Sequence, residues 1–327
     1  MNSIKHRLLN NHIVLTEDEA ETLSQPSTNH YTVEVKPADP STSNIPETLT
    51  EFTDAITEFQ TSYLGLKNTS PTTIFEILRP QPNQLRFQYH APTKRLERKI
   101  RLHLSNQIPK VGFQEGTTEL PVGEGGTVGG GFLTTGYSSY HPLRYEFDSP
   151  PNNAVVSALH RHATQSTRYL IQILFKPVAG HSLKQWLWRK RAYHHRNYLK
   201  KEKDSLWRTV QPTRRERRQA QEIDDKAGEP RYRTSIRFLV INAADYTPSR
   251  VKELAGAYNT FENPETGQYL DAVTVTRLQR KPFLRFAEAV GQRRFSGWTR
   301  SFQTSAKELA ALLSLPDKQQ ENIQYNR

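Results

Sequence analysis

The spacing of apolar residues changes character several times along the chain. From Ile74 to Leu78, and again at Leu85, Phe87 and Tyr89, apolar positions are dense or alternate, with Pro80-Gln81-Pro82-Asn83 between them, which predicts a β-hairpin. After Pro92-Thr93 the period lengthens. Leu96, Ile100 and Leu104 share one face while Lys94, Arg95, Arg98, Lys99 and Arg101 lie around the others, the pattern of an amphipathic helix. Residues 112–131 are rich in glycine, lack a helical period and predict a loop leading into a strand pair at Phe132 to Thr135 and Leu143 to Phe147. Asp148-Ser149-Pro150 predicts a helix start, because a side-chain acceptor caps open amides and proline fits the first turn. Val155, Ala158, Leu159 and His162 then share a face, and the alternation in Tyr169 to Phe175 predicts a central strand.

The same grammar returns near the end of the chain. Ser235 to Asn242 reads as a strand, Thr247-Pro248 as a helix start ahead of Val251, Leu254, Ala255 and Tyr258, and Ala272 to Thr276 as another strand. Phe283, Phe286, Ala287 and Val290 mark a helix, and Ser305 with Glu308 forms a capping-box signature before Leu309, Leu312 and Leu313. Similar order on both sides of a charged segment predicts an α+β fold of two split-βαβ (ferredoxin-like) sandwiches, the arrangement a duplication would leave, with a long basic helical insert. The expected division is an acidic, partly disordered lead-in at 1–70, a first α+β unit at 71–178, the basic insert at 179–230 and a second α+β unit with a C-terminal helix at 231–327. Within the lead-in, Tyr31, Val33 and Val35 alternate as one strand would, and Leu49, Phe52, Ile56 and Phe59 recur at helical spacing.

Composition narrows the partners. The 327 residues carry a net charge of +12 and a pI near 9.7, which favours polyanions. With no cysteine, disulfide scaffolds, thiolate zinc sites and cysteine nucleophiles are all excluded. The N-terminus, with Lys5, His6 and Arg7 ahead of Leu8, Leu9, Asn10 and Asn11, lacks the apolar stretch of a signal peptide, and no run is long enough to span a bilayer. The expected location is the cytoplasm, at the inner face of the membrane only through partners.

The charge is concentrated. Between His181 and Arg218, Lys184, Arg189, Lys190, Arg191, Arg196, Lys200, Lys201, Lys203, Arg208, Arg214, Arg215, Arg217 and Arg218 face only Glu202, Asp204 and Glu216. The same stretch holds Trp186, Trp188 and Trp207, three of the four tryptophans. Cationic side chains displace counterions from a phosphate backbone and indoles stack on bases, so this arm is the candidate nucleic-acid site, for DNA before RNA. A docking arm for an anionic protein, or a solvated charged helix, would carry the same charges, and Trp186 and Trp188 would serve equally to anchor the arm to the core.

Other chemistry is thinly represented. The run Gly123-Glu124-Gly125-Gly126-Thr127-Val128-Gly129-Gly130-Gly131 lacks the Gly-Lys-Ser/Thr of a phosphate loop and reads as a flexible loop. His160-Arg161-His162 and His194-His195 have no carboxylate at ligand spacing, and Glu222, Asp224 and Asp225 read as neutralising the arm. A relaxase-like centre would draw on Tyr193 and Tyr198 beside His194-His195, which their charged surroundings explain as well. No nucleophile elbow, zincin or dinucleotide motif occurs, so no catalytic residue, metal or cofactor is expected.

A set of segments carries a family resemblance: Phe75-Glu76-Ile77-Leu78, Asn106-Gln107-Ile108-Pro109, Asp148-Ser149-Pro150-Pro151-Asn152-Asn153-Ala154, Leu170 to Phe175, the charged insert, Ile236 to Ile241, Ala257-Tyr258-Asn259-Thr260-Phe261, and Thr304-Ser305-Ala306-Lys307-Glu308-Leu309 through Leu315-Pro316. In this order, over roughly residues 70 to 318, the chain resembles the amino-terminal, non-motor region of conjugation-type DNA-transfer ATPases, type IV secretion relatives of the HerA and FtsK motors. In those proteins the last segment leads into a motor with Walker motifs, which this sequence does not contain. The resemblance therefore implies a non-catalytic adaptor beside a separate Walker-type ring ATPase, with self-assembly and peripheral contact with a membrane channel as further implied partnerships. The alternative is a stand-alone nucleic-acid-binding protein of plasmid or virus replication or packaging.

Overall fold

A computed structural model describes residues 9–27, 29–37, 47–161, 166–205, 208–297, 299–317 and 322–324. In chain order these form β1 (His12–Val14), α1 (Glu17–Ser24), β2 (Tyr31–Lys36), α2 (Glu47–Ile56), a short hairpin of β3 (Thr61–Ser62) and β4 (Lys67–Asn68), β5 (Thr73–Gln81) and β6 (Gln84–Ala91). Then come α3 (Lys94–Gln107), β7 (Gly112–Glu115), β8 (Thr127–Thr135), α4 (Asn152–Arg161) and β9 (Arg168–Pro177). The basic segment follows as α5 (Leu183–Lys200), β10 (Lys203–Ser205), β11 (Arg208–Val210) and α6 (Arg214–Gly228). The chain closes with β12 (Arg231–Ile241), α7 (Thr247–Gly256), β13 (Leu270–Thr274), α8 (Lys281–Gly291), β14 (Phe302–Ser305) and α9 (Ala306–Leu312).

The α+β sandwich that the alternating patterns predict is present, and both of its halves share one sheet. Ten antiparallel strands run in the order β1-β8-β12-β9-β5-β6-β2-β7, with β13 also on β8 and β14 also on β12. The seam between the halves is the pairing of β9 with β12, from Tyr232 opposite Pro177 to Ile241 opposite Arg168. Because side chains alternate across a strand, Phe75, Ile77, Phe87, Tyr89, Ile171, Ile173, Ile236 and Phe238 all reach one face. There they pack with α2, α3, α4, α7 and α9 in the larger core. On the opposite face Leu78, Leu170, Leu239 and Ile241 meet Ala20 and Leu23 of α1 and Phe283, Phe286 and Val290 of α8.

Three expectations need correction. The opening stretch is built into the body: β2 lies within the sheet, and Val33, Val35, Phe52 and Ile56 are fully buried. Val33, Val35, Phe52 and Ile56 join the larger core, and Ile13, Leu15, Ala20 and Leu23 the one on the opposite face. The glycine run is largely strand, for Gly129, Gly130 and Gly131 pair with Val240, Leu239 and Phe238. A Cβ on Gly131 would sit 2.5 Å from Val251 of α7, and one on Gly130 2.9 Å from Phe286 of α8 and 2.1 Å from the Phe238 carbonyl, so these glycines let both helices close on the sheet. Leu143 to Phe147 forms no strand. Its amides turn instead to other groups, Leu143 N donating to Glu308 Oε1 at 2.7 Å and Arg144 N to the Phe261 carbonyl at 3.0 Å.

Candidate nucleic-acid interface

The basic segment leaves the sheet after β9 and returns at β12, and Val178 N donates to the Arg231 carbonyl at 2.8 Å where its two ends meet. Two capped helices form it. Ser182 accepts from Gln185 N at the start of α5, and Thr213 with Glu216 makes a capping box at the start of α6. Alanines and short aliphatics let the helices approach as a hairpin, and Ala192, Leu199, Ala220, Ile223 and Ala227 form a small separate core between them.

Polar contacts hold this hairpin to the body. Lys226 and Glu308 are both buried and their charged groups lie 2.8 Å apart. The same carboxylate receives Leu143 N and Ser305 N, so the capping box read from sequence also fastens the arm. Burial pushes the Lys226 ammonium down and Glu308 opposes that shift. Asn263 donates to Glu222 at 2.8 Å, and burial raises the Glu222 carboxyl. Trp188 donates its indole N–H to Ser139 Oγ at 2.9 Å and carries the Arg231 guanidinium 4.1 Å from its ring centre, making it an anchor. Tyr140, His141 and His195 pack beside it, with His141 and His195 ring centres 4.9 Å apart, and burial, then the neighbouring His195, depress His141 to about 4.

The thirteen candidate cations divide by position. At the end of α5 and the start of α6, Lys200, Lys201, Arg214, Arg215, Arg217 and Arg218 are all exposed. Arg218 reaches Glu265 at 2.9 Å, Lys200 lies 3.6 Å from Asp224, and Arg215 donates to the carbonyls of Pro264 and Glu265. Lys201, Arg214 and Arg217 have no carboxylate partner among the described residues. Arg196 is half-buried and held by Asp224 at 2.5 Å, so it braces the hairpin. Lys184, Arg189, Lys190 and Arg191 lie at the near end, with Lys190 5.0 Å from the centre of the exposed Trp186 ring. The side chains of Lys203 and Arg208, and Trp207 and His162, fall outside the described residues. Among the described residues no cluster of three histidines or carboxylates could hold a metal, and no helix is long and apolar enough to cross a membrane.

Sequence reasoning missed a second constellation. Glu34, Gln88, Glu76, Gln172 and Arg237 stand opposite one another across β2, β6, β5, β9 and β12, all buried on the face under α8. Glu76 accepts from Gln172 at 2.5 Å and from Arg293 Nη2 at 3.2 Å and lies 2.7 Å from His90 Nε2, while Arg237 donates to Gln172 at 2.7 Å and to carbonyls of Ala289 and Arg294. Burial alone would raise the Glu76 carboxyl, but Arg293 and His90 hold it down at about 2. Burial lowers His90 to about 4, and Thr32 contacts its Nδ1 at 2.7 Å. Every member is buried, and Gln172 and Arg237 join the sheet to α8. Its trace in the sequence is a single polar residue within each of Phe75-Glu76-Ile77, Ile171-Gln172-Ile173 and Ile236-Arg237-Phe238.

No curated protein matches the chain. Residues 5–327 match the model of the DUF8128 family, described as a domain of unknown function, and the chain belongs to that family.

Proposed function

We propose that this protein is a non-catalytic, nucleic-acid-handling accessory factor whose far arm end grips a phosphate backbone, DNA in the first instance. The reading is carried by Lys200, Lys201, Arg214, Arg215, Arg217 and Arg218, six exposed cations at one end of a hairpin fastened to a rigid sheet. Charge held on a fixed support steers a polyanion and releases its counterions without first ordering a loose tail. Its place beside a separate Walker-type ring ATPase rests on the family resemblance of residues 70 to 318.

The test is a titration of labelled duplex and single-stranded DNA across a potassium chloride series, with the intact protein and a Lys201→Ala/Arg214→Ala/Arg217→Ala variant. For three lost phosphate contacts the slope of log affinity against log salt falls by about 2 to 3 on duplex DNA, with the thermal midpoint unchanged. Equal slopes and affinities would remove the arm from the mechanism. Retention of an ATPase through purification from the native host supports the adaptor role, and sequence-selective DNA binding without one contradicts it.

A further inference from the structure

Exposed apolar side chains gather at the near end of the arm, away from the six cations. Leu64 is 102% exposed, Tyr63 74%, Leu183 70%, Leu66 65% and Trp186 56%. Scattered surface leucines are ordinary, whereas a group drawn from two distant segments calls for a reason. The segments are fastened together, since His181 N donates to the Gly65 carbonyl at 2.9 Å just before α5 begins.

The backbone holds these side chains outward. Tyr63, Leu64 and Gly65 are three successive left-handed residues, with φ of 53, 56 and 86, in the turn between β3 and β4. Bulky residues rarely adopt that region, so the turn carries a backbone cost while Leu64 stays wholly exposed. Gly180, with φ of 87, completes the junction: a Cβ there would meet the Gly65 carbonyl oxygen at 2.3 Å.

We propose that this turn and the first two turns of α5 form a docking patch for an anionic lipid bilayer. Exposed Lys67 lies beside Tyr63 and exposed Lys190 beside Trp186, while Lys184 and Arg191 line an adjoining groove with Tyr140 and Trp188. Residues 61–72 and 149–201 contain no aspartate or glutamate, so nothing in either segment repels an acidic headgroup. A protruding tip of leucine, tyrosine and tryptophan with lysines and arginines beside it suits the water–lipid interface, where aromatic rings and cations settle at headgroup depth. A protein partner would have to supply a fitted pocket for Leu64, whereas a fluid bilayer accepts a projecting side chain without one. Trp186 and Lys201 are fifteen residues apart on the α5 line, roughly 22 Å at the helical rise, so a docked patch leaves the far end open to nucleic acid.

The full chain is to be floated with vesicles of phosphatidylcholine alone and of phosphatidylcholine mixed with phosphatidylglycerol. The intact protein is expected on the anionic vesicles. Leu64→Ser/Trp186→Ser loses at least about tenfold in partitioning with its thermal midpoint unchanged, and the Lys201→Ala/Arg214→Ala/Arg217→Ala variant floats like the intact protein. Three results each overturn the proposal. They are no flotation of the intact protein, equal flotation of the Leu64/Trp186 variant, and an oligomer in gel filtration that the same two changes dissolve, which would make a second copy the occupant.

Discussion

Replacing Glu76 by glutamine keeps the side chain's shape and removes its charge from a buried polar site. Both carboxylate oxygens accept, Oε1 from Gln172 Nε2 and Oε2 from Arg293 Nη2, with Arg293 Nε at 2.9 Å and His90 Nε2 at 2.7 Å completing the charge contacts. An amide nitrogen at either position faces a donor, which is left unsatisfied at about 1–3 kcal/mol. The change also leaves the guanidinium groups of Arg293 and Arg237 buried without this counter-charge. Arg293 retains the carbonyls of Thr118 and Gly291, each at 3.0 Å, and Arg237 those of Ala289 and Arg294, so part of the loss is cushioned. The expected destabilisation is about 3–5 kcal/mol, the range for breaking a buried ion pair from one side. Urea unfolding followed by circular dichroism measures it as a lower midpoint at unchanged slope. Glu76→Gln/Arg293→Met should cost less than the sum of its single changes, because removing both partners removes the stranded charge. A loss below about 1 kcal/mol for Glu76→Gln would refute the claim that this carboxylate neutralises the buried cations.

Acid should weaken the fold before it protonates most surface carboxylates. Burial, as the largest cause, depresses His30, His90 and His141 to about 4 from 6.5, so between those values the unfolded chain binds more protons and stability falls as pH falls. Glu76, held at about 2 from 4.5, adds a loss in the same direction at lower pH. Urea midpoints measured from neutral pH downward test this, and His141→Gln should flatten the dependence; a midpoint constant down to the folded-state values contradicts it. Gly130→Ala should lower the thermal midpoint well beyond Gly228→Ala, since the first Cβ meets the Phe238 carbonyl oxygen at 2.1 Å and the second meets nothing within 4 Å, and equal midpoints would show that β8 yields freely.

Local order was legible in the sequence wherever one residue's neighbours along the chain decide its state. The hairpin of β5 and β6, the basic amphipathic α3, the alternating β9 and the Ser305–Glu308 capping box all follow from periodicity and short-range hydrogen bonding. Charge density likewise marked the segment that became the α5–α6 hairpin, because excess charge is a property of composition. Features that depend on what arrives from elsewhere were not legible. Gly129 to Gly131 read as a loop because no pattern shows that α7 and α8 will close on the two faces of that strand. Leu143 to Phe147 read as a strand because no local signal shows that Glu308, far along the chain, takes its first amide.

By itself the sequence determined the α+β class, the long helices and the one segment where positive charge collects, since each is written in short-range period or composition. Only tertiary structure decided that β9 and β12 join the halves in one sheet, that Glu76, Gln172 and Arg237 stand in one buried row, and that the cations fall at two separate ends of the arm. Register and helix docking make those choices, and both depend on residues far apart along the chain, 96 positions for Glu76 and Gln172 and 165 for Leu143 and Glu308.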